Sequence, residues 1–202
     1  MDLMKVVVAT GNSGKVKEIS AMLQHLPMQL FTQTSRGVTP VEETGLTFVE
    51  NAILKARNAA KNSGMPAIAD DSGLEVDALR GQPGIRSARY SGVDASDEEN
   101  NIKLLRVLAP IIHSKPTARF QCVLVFMRHA DDPTPAIFQG TWEGTIVEEP
   151  KGQNGFGYDP IFFVPDHQCT SAELPAEIKN KISHRGQALQ QFCEFFTEAF
   201  RN

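Results

Sequence analysis

The chain has 202 residues, of which 41% are hydrophobic and 22% charged, with 15 Gly and 12 Pro, a composition that excludes collagen-like, fully disordered and fibrous repeat proteins. Its length suits one domain with a core large enough to need no covalent or metal staple. Its net charge is -4, from 20 Lys+Arg against 24 Asp+Glu, so the broad basic surface of a non-specific nucleic-acid binder is missing, while a local basic pocket for a phosphate stays open.

Three cysteines, Cys122, Cys169 and Cys193, form no C-x-x-C pair and are odd in number, which argues against a disulfide framework or structural zinc and fits a reducing compartment. The apolar start Met1 to Val8 is too short for a signal peptide, and no run reaches the length of a membrane span. The expectation is a soluble, cytoplasmic protein with neither a membrane nor a nucleic-acid partner.

Val6-Val7-Val8-Ala9 reads as a strand buried on both faces. Thr10-Gly11-Asn12-Ser13-Gly14 breaks it, and Val16, Ile19, Met22, Leu23 and Leu26 then mark one face of a helix that Pro27 ends. Thr47-x-x-Glu50 is a capping box for a helix carrying Val49, Ala52, Ile53, Ala56 and Ala60, closed by Gly64 and Pro66. Ala67-Ile68-Ala69 predicts a short buried strand that stops at Asp70-Asp71-Ser72-Gly73, with Leu74 and Val76 alternating in a second, half-buried strand. Gln82-Pro83-Gly84 is a turn, and Ser96-x-x-Glu99 caps a helix carrying Ile102, Leu105 and Leu108 before Pro110. Phe120 to Phe126 is a strand, Asp131 to Pro135 a turn, and Ile137 to Val147 returns as one or two strands. A Gly-rich loop over 152–159 leads to a buried strand, Ile161 to Val164. A last helix starts near Ser183 with Leu189, Phe192, Phe196 and Ala199 facing inward. The order predicts an α/β protein with a mixed sheet in a single domain, without repeats or linkers.

Four groups of residues carry chemistry. Thr10-Gly11-Asn12-Ser13-Gly14-Lys15 lies between a buried strand and a helix start, where free N–H groups, the helix dipole and Lys15 suit a phosphate; it is not the P-loop spacing, and the plain alternative is a turn with a solvated lysine. Asp70-Asp71 closes an apolar run, where carboxylates need a cation or hydrogen bonds; magnesium, taking oxygen ligands and phosphates together, is the natural partner. On an extended chain the two point oppositely, so one can serve chemistry and the other structure. Glu42-Glu43, before the capped helix, reads on its own as a solvated loop. In Gly155-Phe156-Gly157-Tyr158-Asp159-Pro160 two aromatic rings can stack on a flat ligand ring and Asp159 can accept hydrogen bonds from it, the alternative being a bare turn. Lys179 and Ser183-His184-Arg185-Gly186 place cations at a helix start, against its dipole, which is better explained if an anion or an acceptor-rich ligand sits there.

These motifs occur together and in register with Glu42-Glu43-Thr44-Gly45-x-Thr47-Phe48-x-Glu50-Asn51-Ala52 and Gly84-Ile85-x-Ser87-Ala88-Arg89-Tyr90. Over nearly the whole chain, from about Lys5 to Phe196, the set resembles the inosine triphosphate pyrophosphatases, closest to the bacterial members. The resemblance implies a long mixed β-sheet with flanking helices forming two lobes around a central cleft, a homodimer, and Mg²⁺-dependent hydrolysis of ITP, dITP and XTP between the α and β phosphates. It implies that Thr10, Gly11, Asn12, Ser13, Gly14 and Lys15 hold the triphosphate. Glu42 and Asp71 are then the metal ligands and Asp71 the general base, with Asp70 or Glu43 positioning the water. Ser72, Phe156, Gly157, Tyr158, Asp159, Lys179, His184 and Arg185 contact the nucleotide, donors from His184, Arg185 or backbone N–H reading the 6-oxo group that adenine lacks. Three alternatives remain: a related pyrophosphatase family linked to septum formation, against which the 156–159 and 183–185 motifs count; a nucleotide sensor without turnover; and a nucleic-acid-binding module, disfavoured by charge.

Overall fold

The structure, a computed structural model, describes residues 3–200. Strand β1 (Met4–Val8) leads into helix α1 (Ser13–Leu23) and strand β2 (Met28–Thr32). The helix stops short of Pro27, whose ring disfavours helical geometry in the residue before it, and Leu26 is buried from the turn instead. Helix α2 (Phe48–Ser63) opens on the predicted capping box and closes at Gly64, whose φ of 68° is the left-handed geometry glycine adopts without strain.

Strand β3 (Ala67–Val76) differs from expectation: it is a single ten-residue strand that passes straight through Asp70-Asp71-Ser72-Gly73. The aspartates do not end it because, as described below, Lys15 and Arg185 meet Asp70 and Lys55 meets Asp71 in place. Helix α3 (Asp97–Leu108) carries its capping box on Ser96 and Glu99 and three acidic residues in its first turn, which complement its dipole. Its buried face is Leu104 and Leu108, whereas Ile102 is 59% exposed. Strands β4 (Thr117–Met127), β5 (Ala136–Ile146), β6 (Phe162–Val164) and β7 (Cys169–Thr170) precede helices α4 (Ala176–Ile182) and α5 (His184–Ala199). In α5, Leu189, Phe192 and Phe196 are buried as expected, but Ala199 is exposed.

The seven strands form one sheet in the order β2-β1-β3-β4-β5-β6-β7. Strand β1 runs parallel to β2 and β3, and β6 antiparallel to β5 and β7, so the sheet is mixed and the fold α/β. Among the described residues no helix is long and apolar enough to cross a membrane.

The chain divides into two compact units. The first runs to Asp71, then takes Cys122–Gly140 and everything from Arg185 on; the second takes Ser72–Gln121 and Thr141–His184. In the first unit the period-2 alternation of strands sorts side chains onto two faces. Val6, Val8, Ile68, Cys122, Leu124 and Phe126 pack with α1 and α5, while Val7, Ala9, Ala67, Ala69, Val123, Val125 and Met127 pack with α2. Both faces are apolar, which is why β1 reads as an unbroken apolar run. The alanines at 52, 56, 59 and 60 let α2 lie close on its face. The second unit has its own core, built on Leu74, Leu104, Leu108, Phe120, Trp142 and Phe162.

Phe192 is fully buried, with its ring 5.5 Å from that of Phe126 and 5.8 Å from that of Phe196. Phe192→Ala is expected to cost about 3–5 kcal/mol in urea denaturation, and Ile102→Ala to stay within about 0.5 kcal/mol.

Candidate active site

In the first unit, the loop after β1 is shaped by its own side chains. The Thr10 hydroxyl accepts from the Asn12 N–H at 3.1 Å, and Asn12 Oδ1 accepts from the Lys15 N–H at 3.0 Å, capping α1. The first intrahelical bond is donated by the Val16 N–H, so the N–H groups of Ser13 and Gly14 have no acceptor within the helix. Gly11, Asn12 and Ser13 are exposed.

Lys15 reaches from this first turn to Asp70, Nζ to Oδ2 at 3.0 Å. Asp70 has no solvent exposure, and Arg185, 2% exposed, donates to the same oxygen from Nη2 at 3.0 Å and Nε at 3.2 Å. Glu18, one turn on from Lys15, takes Arg185 Nη1 at 2.5 Å. Burial alone would raise the Asp70 pKa, but the charges of Lys15, Arg185 and Lys55 hold it far below the usual carboxylate range. Its Oδ1 is buried with no hydrogen bond among the described residues.

Asp71, the next residue on β3, falls on the α2 side with Ala67 and Ala69. Its Oδ1 lies 3.1 Å from Lys55 Nζ, and its Oδ2 accepts from Asn51 Nδ2 at 3.2 Å. Lys55 also holds Glu43 Oε1 at 2.8 Å. Burial raises the Asp71 pKa and Glu43 adds to the rise, outweighing Lys55 and Lys15. Adjacent carboxylates thus have pKa values moved in opposite directions. Glu42 is exposed. Among the described residues no three His, Cys, Asp or Glu side chains form a ready metal cage. Magnesium ordinarily takes one or two acidic oxygens together with substrate phosphates, and Asp71 offers carboxylate oxygens of that kind.

In the second unit, Asp159 is buried and braces its loop. Its Oδ2 lies 2.6 Å from Lys179 Nζ and accepts from the Phe156 N–H at 2.8 Å, and its Oδ1 accepts from Ser171 Oγ at 2.7 Å. A Cβ at Gly155 would fall 2.0 Å from Asp159 Oδ2, so glycine is required there for the close approach. From the first turn of α3, Asp97 Oδ2 accepts from the Gly157 N–H at 2.6 Å while Asn101 Nδ2 donates to the Gly157 carbonyl at 2.9 Å. The buried Tyr158 hydroxyl donates to the Ser87 carbonyl at 2.8 Å. Phe156 is half-buried, with the Lys179 ammonium 5.1 Å from its ring centroid. His184, 5% exposed, stacks on Phe120 with 4.7 Å between centroids and 11° between planes. Ser72 is half-buried on β3.

Several of the expected site residues have partners within the protein. An anion that answers the cationic start of α5 comes from the protein itself: Asp70 and Glu18 take the buried Arg185 guanidinium. Tyr158 and Asp159 are buried with partners inside the protein, and Lys179 pairs with Asp159. Asp70 is held by two cations through Oδ2. Sequence analysis missed Lys55, Asn51 and Glu18, and also Asp97 and Asn101. The signal for the first two was helical spacing, since 51 and 55 stand one turn apart beside the alanine face of α2.

The sequence profile of the Ham1 family matches residues 6–195. The chain is 58% identical over 200 residues to the dITP/XTP pyrophosphatase of Shigella flexneri, covering 99% of this chain and 100% of that one. It superposes with a TM-score of 0.90 on the structure of a HAM1 protein from Coxiella burnetii, 50% identical, covering 97% and 100% of the two chains. The Staphylococcus aureus Ham1 protein gives a TM-score of 0.84 at 42% identity, covering 96% and 99%.

Asp70→Asn removes the charge shared by Lys15 and Arg185 and is expected to destabilise the fold by about 3–5 kcal/mol, since it leaves a buried cation short of its partner. The exposed His113–Glu148 pair, 3.7 Å apart, provides the control: Glu148→Ala is expected to change stability by less than about 1 kcal/mol. Chemical denaturation of both variants checks the contrast.

Proposed function

The chain belongs to the Ham1 family, and on that premise we propose that it hydrolyses non-standard purine nucleoside triphosphates, namely ITP, dITP and XTP, to the monophosphate and pyrophosphate, clearing them from the nucleotide pool. The observation that carries this reading is the divided carboxylate pair on β3. Asp70 fixes Lys15 beside a helix start whose first N–H groups have no acceptor within the helix, and Asp71 sits apart, held by Lys55 and Asn51. The first arrangement suits phosphate oxygens and the second suits removal of a proton from water.

Residues Thr10 to Lys15 then hold the triphosphate, with the loop N–H groups and Lys15 stabilising the pyrophosphate as charge gathers on it. Asp71 accepts the proton of the attacking water. Sharing of Lys55 between Glu43 and Asp71 supports a role for Glu43 in orienting that water. Glu42 and Asp71 are the proposed ligands of Mg²⁺. Mg²⁺ held there would supply charge neutralisation and polarisation of the phosphoryl group. Ser72, Phe156, Gly157, Tyr158, Asp159, Lys179, His184 and Arg185 are the proposed nucleotide contacts. The partners described above hold Tyr158, Asp159, Lys179 and His184 in place. A donor from this loop directed at the 6-oxo group would be left unpaired by adenine, which is how a polar site rejects that base. We further propose a homodimer, as the resemblance implies, and a cytoplasmic location, with which three free cysteines are consistent.

Pyrophosphate release from dITP, XTP, dATP and dGTP, each with Mg²⁺ and with EDTA, tests the reading. Metal-dependent release, strong for dITP and XTP and weak for the other two, is expected. Orthophosphate in place of pyrophosphate would move the cut to the terminal phosphate and overturn the mechanism. Asp71→Asn is expected to lower kcat by about 100-fold or more, the span of a lost general base, with the urea midpoint near that of the unsubstituted protein. Sedimentation equilibrium at twice the chain mass is the expected result for the dimer.

A further inference from the structure

Asn51 is fully buried in the first turn of α2, and both ends of its amide are occupied. Its Oδ1 accepts from the Gly45 N–H at 2.8 Å, and its Nδ2 donates to Asp71 Oδ2 at 3.2 Å. The assignment of oxygen and nitrogen is forced. A backbone N–H can only donate and an ionised carboxylate can only accept, so the flipped amide would oppose both partners. The approach is close enough to require glycine: a Cβ on Gly45 would lie 2.7 Å from Asn51 Oδ1 and 2.6 Å from Glu50 Cβ. One side chain therefore ties the loop that carries Glu42 and Glu43 to the strand that carries Asp71.

The second hold on Asp71 comes from the same helix one turn later. Lys55 meets Oδ1 while Asn51 meets Oδ2, so the carboxylate is gripped at both oxygens and its plane is fixed. Asn51 brings no charge to this arrangement. Its contribution is orientation, which matters for a group that must take a proton along a defined direction.

We propose that Asn51 is a positioning residue for Asp71, setting the carboxylate plane through Nδ2 while its Oδ1 secures the 42–46 loop. The proposal rests on the reading of Asp71 as the group that acts on the water. The two ends of the amide can be separated by experiment. Asn51→Asp keeps an acceptor for the Gly45 N–H, is nearly isosteric, and loses the donor to Asp71. Asn51→Ala loses both.

The test measures steady-state pyrophosphate release from dITP with Mg²⁺, thermal melting, and hydrogen exchange of the Gly45 amide, for Asn51→Asp, Asn51→Ala and Asp71→Asn. For Asn51→Asp, kcat is expected to fall by about 10-fold or more, as misplacement of a reacting group does. KM is expected to stay within about 3-fold of the unsubstituted value, a split that marks lost orientation and not lost binding. The Gly45 amide should remain as slow to exchange as before. Asn51→Ala is expected to lose both turnover and Gly45 protection. Unsubstituted kcat in Asn51→Asp, with Asp71→Asn inactive, would overturn the positioning role while leaving that of Asp71 intact. A fall in kcat accompanied by loss of Gly45 protection in Asn51→Asp would also overturn it, since the amide would then act through loop integrity alone. Full turnover in Asp71→Asn would instead remove the reading of Asp71, and the proposal with it.

Discussion

A carboxylate without solvent exposure has to be neutralised by the protein, and the first unit is arranged around doing so for Asp70. Lys15 comes from the start of α1, Arg185 from the start of α5, and both end on the same oxygen. Removing two cations and an anion from water is costly, and close multiple hydrogen bonds are what recover that cost. The ion cluster joins three segments distant in the chain, so the placement of Lys15 at the start of α1 depends on an anion on β3. Glu18 completes the balance by taking the far side of the guanidinium, which lets a helix begin with His184-Arg185 despite its dipole.

The neighbouring carboxylate lives under different conditions. Asp71 is held by one lysine that it shares with Glu43 and by a neutral amide. Two groups of the same chemical type are thereby set apart in proton affinity by environment alone, the arrangement through which a single fold can use one carboxylate as a permanent anion and another as a base. The second unit repeats the principle on a smaller scale. Asp159 and Lys179 form a buried pair whose remaining lone pairs are taken by Ser171 and the Phe156 N–H. That pair gives a glycine-rich loop a defined shape that its sequence alone would leave open.

Local signals were legible wherever the chemistry was local. Thr47 with Glu50, Ser96 with Glu99, and Gly64 each fixed a helix end, because a cap is completed within four residues. Strand β3 was misread at Asp70-Asp71-Ser72-Gly73. These residue types disfavour strands, and the cations that override this preference stand far away in sequence, Arg185 at a separation of 115. Ile102 and Ala199 fit their helical periods yet are exposed, since periodicity marks a face without saying how far the neighbouring core extends. Six motifs in register sufficed for the family. They did not reveal which motif residues face a ligand and which brace one another, because that depends on partners such as Ser171, Asp97 and Glu18 that lie outside every motif.

The unbroken passage of β3 through its two aspartates has a consequence for how such a site can change over time. Because neighbours on a strand look to opposite faces, the contrast between Asp70 and Asp71 is written in the parity of their positions. Losing or gaining one residue upstream within the strand would exchange their surroundings, handing the α2 side to one and the α1 and α5 side to the other, and would push the flanking alanines and Ile68 into the wrong cores as well. Substitution can adjust either carboxylate separately, but a change in length disturbs both at once. The spacing of this strand is therefore more tightly constrained than its composition, and variation in chain length is better tolerated in the turns beyond its ends.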